Sequence, residues 1–226
     1  MELIAIGGLM QSGKDTTANL IIKLRKDKSW KILRFADAVK DIVCILLYCT
    51  REDLEDIDFK NKELDEEWDR YYLFGSNPVD KQTIIKRYKE EHSINPSQYW
   101  LDSQKLKMTP RLLLQLIGTE CGRNIIHPDI WVNCLKKKYY QFKNQYNIII
   151  PDLRFNNEAN FVKENNGKII IVEREEIINI ESIKSIKNHS SENSLALDPS
   201  YSLIKNNGTI SDLTIQIEKI LTSYKI

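Results

Sequence analysis

Three features of the 226-residue sequence predict an α/β fold. The apolar strand Leu3-Ile4-Ala5-Ile6 runs into a glycine-bracketed loop, Gly8 to Gly13, and Lys14 follows at once. A helical pattern leaves that loop, with Thr17, Leu20, Ile21 and Leu24 at i, i+3, i+4, i+7 spacing. Two later apolar runs, Asn147–Ile150 and Lys168–Val172, each end at charged residues, as strands buried on both faces of a parallel sheet do. Strands alternating with helices are the signature of this class.

The first element carries the chemistry. Gly8-Leu9-Met10-Gln11-Ser12-Gly13-Lys14 is G-x-x-x-x-G-K, a phosphate-binding loop, between a strand and a helix as that motif requires. Glycines let the backbone curl so that successive N–H groups face phosphate oxygens, and the helix N-terminus adds donors and its positive dipole end. Lys14 brings a compact cation to the β/γ-phosphates. Asp15 stands where a hydroxyl residue usually reaches a magnesium ion, and the hydroxyl comes one place later at Thr16. Asp15 then serves either the metal or the acceptor.

Lys+Arg number 33 against 32 Asp+Glu, so nothing marks nucleic acid as the main partner. No apolar run approaches membrane-spanning length and the N-terminus enters a core strand directly, which reads as a soluble protein of the cytoplasm. Cys44, Cys49, Cys121 and Cys134 match no zinc spacing and are expected as buried free thiols.

Trp30 to Phe35 reads as a second strand, followed by a helix with Val39, Ile42, Val43, Leu46 and Leu47 on one face. Asp37 caps its start, and with Lys40 borders the acceptor site on the functional reading. Residues 50–108 read as an insertion: a helix-like run holding Leu64, Trp68 and Tyr71, a turn at Gly75-Ser76-Asn77-Pro78, and a helix from Val79 to Glu91. Thr109-Pro110 supplies an N-cap and a first-turn proline. On a 100° wheel Arg111, Gln115, Gly118 and Gly122 form one stripe with Arg123 beside it; a ligand-facing stripe and close helix packing at the glycines both fit. Trp131, Leu135 and Tyr139 are spaced for burial, Trp131 being also a candidate to stack on a base. Asn147 to Asp152 suits a central strand delivering a carboxylate to its C-terminal end, with Pro151 expected at the very end of it. Arg154 reaches the same space. Lys168–Val172 and Tyr201–Ile204 complete five strands, and Ile210–Ile220 is the closing helix.

Taken together, G-K-D-T at Gly13–Thr16, Phe35-Ala36-Asp37 with Lys40, the Arg111–Arg123 stripe, Trp131, Asp152-x-Arg154-Phe155 with Asn157-Glu158, Arg174 and His189-x-Ser191-Glu192 resemble the bacteriophage deoxynucleoside monophosphate kinases. The animal-type phosphomevalonate kinases are a more distant likeness. The resemblance implies a P-loop, nucleoside monophosphate kinase-like fold with a five-stranded parallel sheet in the order 2-3-1-4-5 and helices on both faces. It implies a core of residues 1–36 and 146–226, a helical acceptor-binding insertion over 37–145, and a lid-like segment over 174–195.

The implied reaction moves the γ-phosphoryl of ATP to a deoxynucleoside monophosphate, with Mg2+. Gly8, Gln11, Ser12, Gly13, Lys14, Thr16 and Arg174 would bind ATP, and Thr16 and Asp152 would hold the metal. Lys14, Asp15, Asp152 and Arg154 would act in catalysis. Asp37, Lys40, Arg111, Gln115, Arg123 and Trp131 would take the acceptor. The partners are then small nucleotides, with no nucleic acid as main partner and no membrane; a monomer and a homodimer both stay open. Two other readings remain: a kinase of another small phosphorylated acceptor, phosphomevalonate-like, and a regulatory NTP-binding module without kinase activity.

Overall fold

A computed structural model describes residues 1–73, 77–175, 195 and 198–226. In chain order the elements are β1 (Leu3–Gly7), α1 (Lys14–Leu24), β2 (Trp30–Ile32), α2 (Asp37–Leu47), α3 (Ile57–Asn61), β3 (Arg70–Leu73) and β4 (Asn77–Val79). Then come α4 (Lys81–His92), α5 (Gln98–Ser103), β5 (Lys105–Leu106) and α6 (Pro110–Gln115), continued by a π-helix over Leu116–Ile126. The chain closes with α7 (Ile130–Phe142), β6 (Asn147–Leu153), α8 (Asn156–Glu164), β7 (Lys168–Glu173), β8 (Ser202–Lys205) and α9 (Ile210–Tyr224).

The chain divides into two compact units, residues 1–38 with 121–226, and residues 39–120. The first holds a five-stranded parallel sheet ordered β2-β6-β1-β7-β8. Counting its strands along the chain, that is the expected 2-3-1-4-5. Period-two alternation sends side chains to opposite faces of the sheet. Leu3, Ala5, Ile148, Ile150, Ile169 and Ile171 pack with Leu135 and Tyr139 of α7 and Phe161 and Val162 of α8. Ile4, Ile6, Ile149, Ile170 and Val172 pack with Ile21 of α1 and Leu213, Ile217 and Leu221 of α9. The expected insertion boundary at 145 therefore moves to Glu120, because α7 is part of the sheet's own cover.

Pro151 lies inside β6, not at its end. Lacking an N–H, it is tolerated through a bulge: Ala5 pairs with Ile150 and Gly7 with Leu153, so β6 carries one residue more than β1 there.

The second unit has two small cores. Val43, Leu54, Met108 and Leu113 form one, and Tyr71, Ile84 and Leu101 the other. Tyr71, expected in a helical run, lies in a three-stranded antiparallel sheet ordered β4-β3-β5, and Asn77-Pro78 form a strand instead of a turn. Gly75 and Ser76 of the expected turn lie outside the described residues. On α2, Val39 and Val43 are buried, but Ile42 and Leu46 of the expected apolar face are exposed.

Candidate active site

The loop after β1 has the curled backbone its glycines predict. Gly8 has φ 140°, and a Cβ there would stand 2.2 Å from the Val172 carbonyl oxygen. Gly13 has φ 103°, and its Cβ would stand 2.4 Å from Asn206 Nδ2. L-residues rarely adopt either angle, so both positions require glycine. Gln11 is left-handed as well, at φ 62°, with its side chain exposed. Inside the curl Lys14 Nζ donates to the carbonyls of Gly8 at 2.7 Å and Leu9 at 2.5 Å. Ser12 and Thr17 are buried, and neither hydroxyl oxygen has a hydrogen-bond partner. A buried hydroxyl left unmatched costs about 1–3 kcal/mol, so the Ser12 Oγ in this loop fits a site completed by an acceptor such as phosphate.

Asn206, just after the edge strand β8, holds the loop. Its Nδ2 donates to the Ser12 carbonyl at 2.8 Å, and its N–H to the Glu173 carbonyl at 2.7 Å. Sequence patterning did not single out Asn206.

Asp152 sits where β6 outlasts its neighbour. β2 pairs with β6 only through Ile149. Beyond that, Asp152 Oδ1 and Oδ2 accept the N–H groups of Phe35 at 3.1 Å and Ala36 at 2.9 Å. The carboxylate thus replaces the strand ladder and fixes the turn into α2. Burial pushes this carboxyl upward, while the two amides, Arg154 and Arg34 pull it back down. Asp37 opens α2, and its Oδ2 accepts the Arg34 N–H at 3.3 Å.

Arg34, which sequence patterning did not single out, is the cation of this cluster. Its Nη2 donates to Asp15 Oδ1 at 2.8 Å. Burial opposes its charge, but Asp15, Asp152 and Asp37 outweigh it and hold the guanidinium more firmly protonated. Asp15, 68% exposed in its side chain, is therefore tied to a cation while still open to solvent. Thr16 is exposed on the first turn of α1. Among the described residues no group of three or more His, Cys, Asp or Glu could hold a metal ion by itself. Magnesium between protein and phosphates needs only one or two carboxylates, so this donor set fits it.

Arg123 differs from its expected role. Its guanidinium, in a side chain 9% exposed, lies 2.5 Å from Glu158 Oε1 and 3.8 Å from the centre of the Phe155 ring, and it donates to the Pro128 carbonyl at 3.3 Å. It is spent on holding the β6–α8 turn and is not free to clamp an acceptor. Glu158, buried, also accepts the N–H groups of Arg154 at 2.8 Å and Phe155 at 3.1 Å through Oε2. Burial lifts its carboxyl to about 7 against the pull of Arg123. Arg154 is half-buried beside Asp152. Trp131 is only 4% exposed, so a base could reach its ring only if its cover moved.

The 100° stripe does not survive the change of helix type. From Leu116 the bonds run i to i+5, as from the His127 N–H to the Gly122 carbonyl at 2.9 Å, and the wheel that aligned Arg111 with Gly122 no longer applies. Close helix packing does not explain Gly118 either, since a Cβ there would meet Val39 at an ordinary 3.7 Å. Within the second unit, Lys40 pairs with Glu55 and Arg111 Nε donates to Asn61 Oδ1 at 2.7 Å. Burial lowers the Lys60 ammonium, Glu55 opposes this, and Arg111 and Lys40 add to it. Lys40, Lys60 and Arg111 thus form a cationic group near Glu55. Gln115 is half-buried at the end of α6. Arg174 is exposed after β7; His189, Ser191, Glu192 and nearly all of the expected lid lie outside the described residues.

Residues 70–217 match the family model of deoxynucleotide monophosphate kinases. The deoxynucleoside-5'-monophosphate kinase of Escherichia phage T5 is 30% identical over 186 residues, which are 73% of this chain and 72% of that protein. A putative deoxynucleotide monophosphate kinase of Acanthamoeba polyphaga mimivirus is 31% identical over 139 residues, covering 57% of this chain and 66% of that one. A solved sugar kinase from Janibacter sp. aligns over 100% of this chain and 95% of its own at 13% identity, with a TM-score of 0.46, too loose a likeness to argue from.

Proposed function

Because the chain belongs to the deoxynucleotide monophosphate kinase family, we propose that the Gly8–Lys14 loop holds the triphosphate of ATP for transfer to a deoxynucleoside monophosphate. The activity that membership carries is phosphoryl transfer to deoxynucleoside monophosphates. The observation that supports this use of the loop is Lys14, buried under the glycine curl with its ammonium on the Gly8 and Leu9 carbonyls.

Phosphoryl transfer asks the protein for positioning and charge neutralisation more than covalent work. Lys14 exchanges its loop carbonyls for phosphate oxygens, and the loop N–H groups with Ser12 take the rest. Gln11, Thr16 and Arg174 complete the ATP contacts. Asp152, Thr16 and Asp15 are the groups that would hold Mg2+, which shields the phosphate charge when bound. Arg154 and Arg34 add planar donors next to Asp152, suited to a phosphoryl group in transit. The acceptor candidates are Lys40, Lys60, Arg111 and Gln115 in the second unit, and Asp37 and Trp131 in the first. Arg123 supports Arg154 through Glu158. No helix among the described residues is long and apolar enough to cross a membrane. The reaction belongs where ATP and nucleotides are free, in the cytoplasm.

A coupled assay of ADP formation with each deoxynucleoside monophosphate, its ribose counterpart and phosphomevalonate tests this. Turnover that depends on a deoxynucleotide is expected. Turnover only with phosphomevalonate, or ATP hydrolysis indifferent to any acceptor, would overturn it.

A further inference from the structure

The C-terminal end of α2 brings two of the four cysteines together. Tyr48 has φ 51°, and the Cys49 N–H donates to the Cys44 carbonyl at 3.2 Å. A left-handed residue just past a helix, with a bond reaching back five residues, is a Schellman ending. Its usual companion is side-chain contact between the two residues that the bond joins, and here both are thiols. The Cys49 thiol is close enough to that of Cys44 to be raised by it, and both residues are half-buried. Tyr48 between them is 100% exposed, so the turn is open to small reagents. A left-handed tyrosine costs about 1–3 kcal/mol and persists only where its surroundings hold it. The next residues do so: Asp53 Oδ2 accepts from the Thr50 N–H and hydroxyl, both at 2.8 Å, and Glu55 pairs with Lys40, one helical turn before Cys44.

We propose that Cys44 and Cys49 are a dithiol modification site that closes to an intramolecular disulfide by exchange with a low-molecular-weight disulfide. One protein thiolate attacks a sulfur of the reagent, forming a mixed disulfide and releasing one reagent thiolate. The second cysteine, deprotonated, attacks the protein sulfur of that mixed disulfide and releases the other. The protein gives up two protons and two electrons, and the reagent leaves as two thiols. Burial and the Cys44 neighbour raise the Cys49 thiol, so less of it is thiolate at neutral pH. The closed form would covalently fix the end of the helix that carries Lys40.

The test equilibrates the full chain with graded mixtures of reduced and oxidised glutathione, quenches in acid, alkylates, and maps peptides by mass. A linked Cys44–Cys49 peptide is expected, with Cys121 and Cys134 still alkylated in the same molecules. Cys44→Ser and Cys49→Ser, near-isosteric and checked for folding by circular dichroism, should each stop at a glutathione adduct on the remaining cysteine. Glutathione adducts on both residues without a linked peptide would overturn the proposal. So would free Cys44 and Cys49 thiols under conditions that already oxidise exposed Cys121; the pair would then be only the apolar contact of a helix ending.

Discussion

Arg123→Met should destabilise the parallel-sheet unit in a way that depends on pH. The side chains of Arg123 and Glu158 are 9% and 2% exposed, so solvent screens little of their attraction across 2.5 Å. Removing one partner of a buried pair costs about 3–5 kcal/mol, because the other is left charged without compensation. Glu158 can escape by taking a proton. Its carboxyl is raised by burial from an ordinary 4.5 to about 7. A raised folded value means that its stabilising contribution is complete below about 4.5 and is lost as pH rises through about 7. Without Arg123 the value climbs further, so the variant goes on losing stability at pH values where the parent has levelled off. At about pH 5 both proteins carry a neutral Glu158, and the difference shrinks to the Phe155 ring contact, about 0.5–2 kcal/mol, and the Pro128 hydrogen bond. At about pH 8, one unit above the parent's Glu158 value, proton uptake in the variant adds at most about 1.4 kcal/mol to the pH 5 difference, a further fall in Tm of about 3–6 °C for a chain of this size. Thermal melting at both pH values reads it directly. Equal destabilisation at the two would refute the reasoning. A variant with normal stability but a raised acceptor KM would return Arg123 to the acceptor.

Other perturbations separate the parts of the site. Gly8→Ala forces a Cβ to 2.2 Å from a backbone oxygen at a φ that alanine avoids, and should weaken ATP binding by about tenfold or more in a calorimetric titration. Asn206→Ala removes the 2.8 Å bond to the Ser12 carbonyl; a loss of about 1 kcal/mol should raise the KM for ATP about fivefold and leave the acceptor KM alone. Lys60→Met should do the reverse, raising the acceptor KM about tenfold to a hundredfold through loss of a charged contact of about 1.5–3 kcal/mol, with the ATP KM unchanged.

The parts legible in the sequence are those built from near neighbours. Strand, glycines, Lys14 and helix lie within one short stretch, and Thr109 caps α6 through the Leu112 N–H at 3.1 Å as its spacing predicts. The sheet order followed from the family resemblance, since periodicity alone does not order strands. What escaped depends on distant partners. Arg34 meets Asp15 across 19 residues, Asn206 meets Ser12 across 194, and Arg123 meets Glu158 across 35. The π-helix escaped because a 100° wheel assumes the very geometry it replaces. The short strands β3 and β5 were hidden by charge: Asp69, next to Arg70, is buried against Lys105, so acidic and basic residues within the expected helix-like insertion enclose a pair. The cysteines were expected to be buried, yet Cys121 is exposed and the other three are half-buried.

The central claim is that the loop around Lys14 delivers a phosphoryl group from ATP to a deoxynucleoside monophosphate. Incubation with ATP labelled in its γ-phosphoryl group, followed by separation of the nucleotides, measures it most directly. The account predicts label in the deoxynucleoside diphosphate, little free phosphate, and loss of both turnover and label transfer in a folded Lys14→Ala protein. Label released as inorganic phosphate regardless of acceptor, or transfer undiminished in Lys14→Ala, would contradict it.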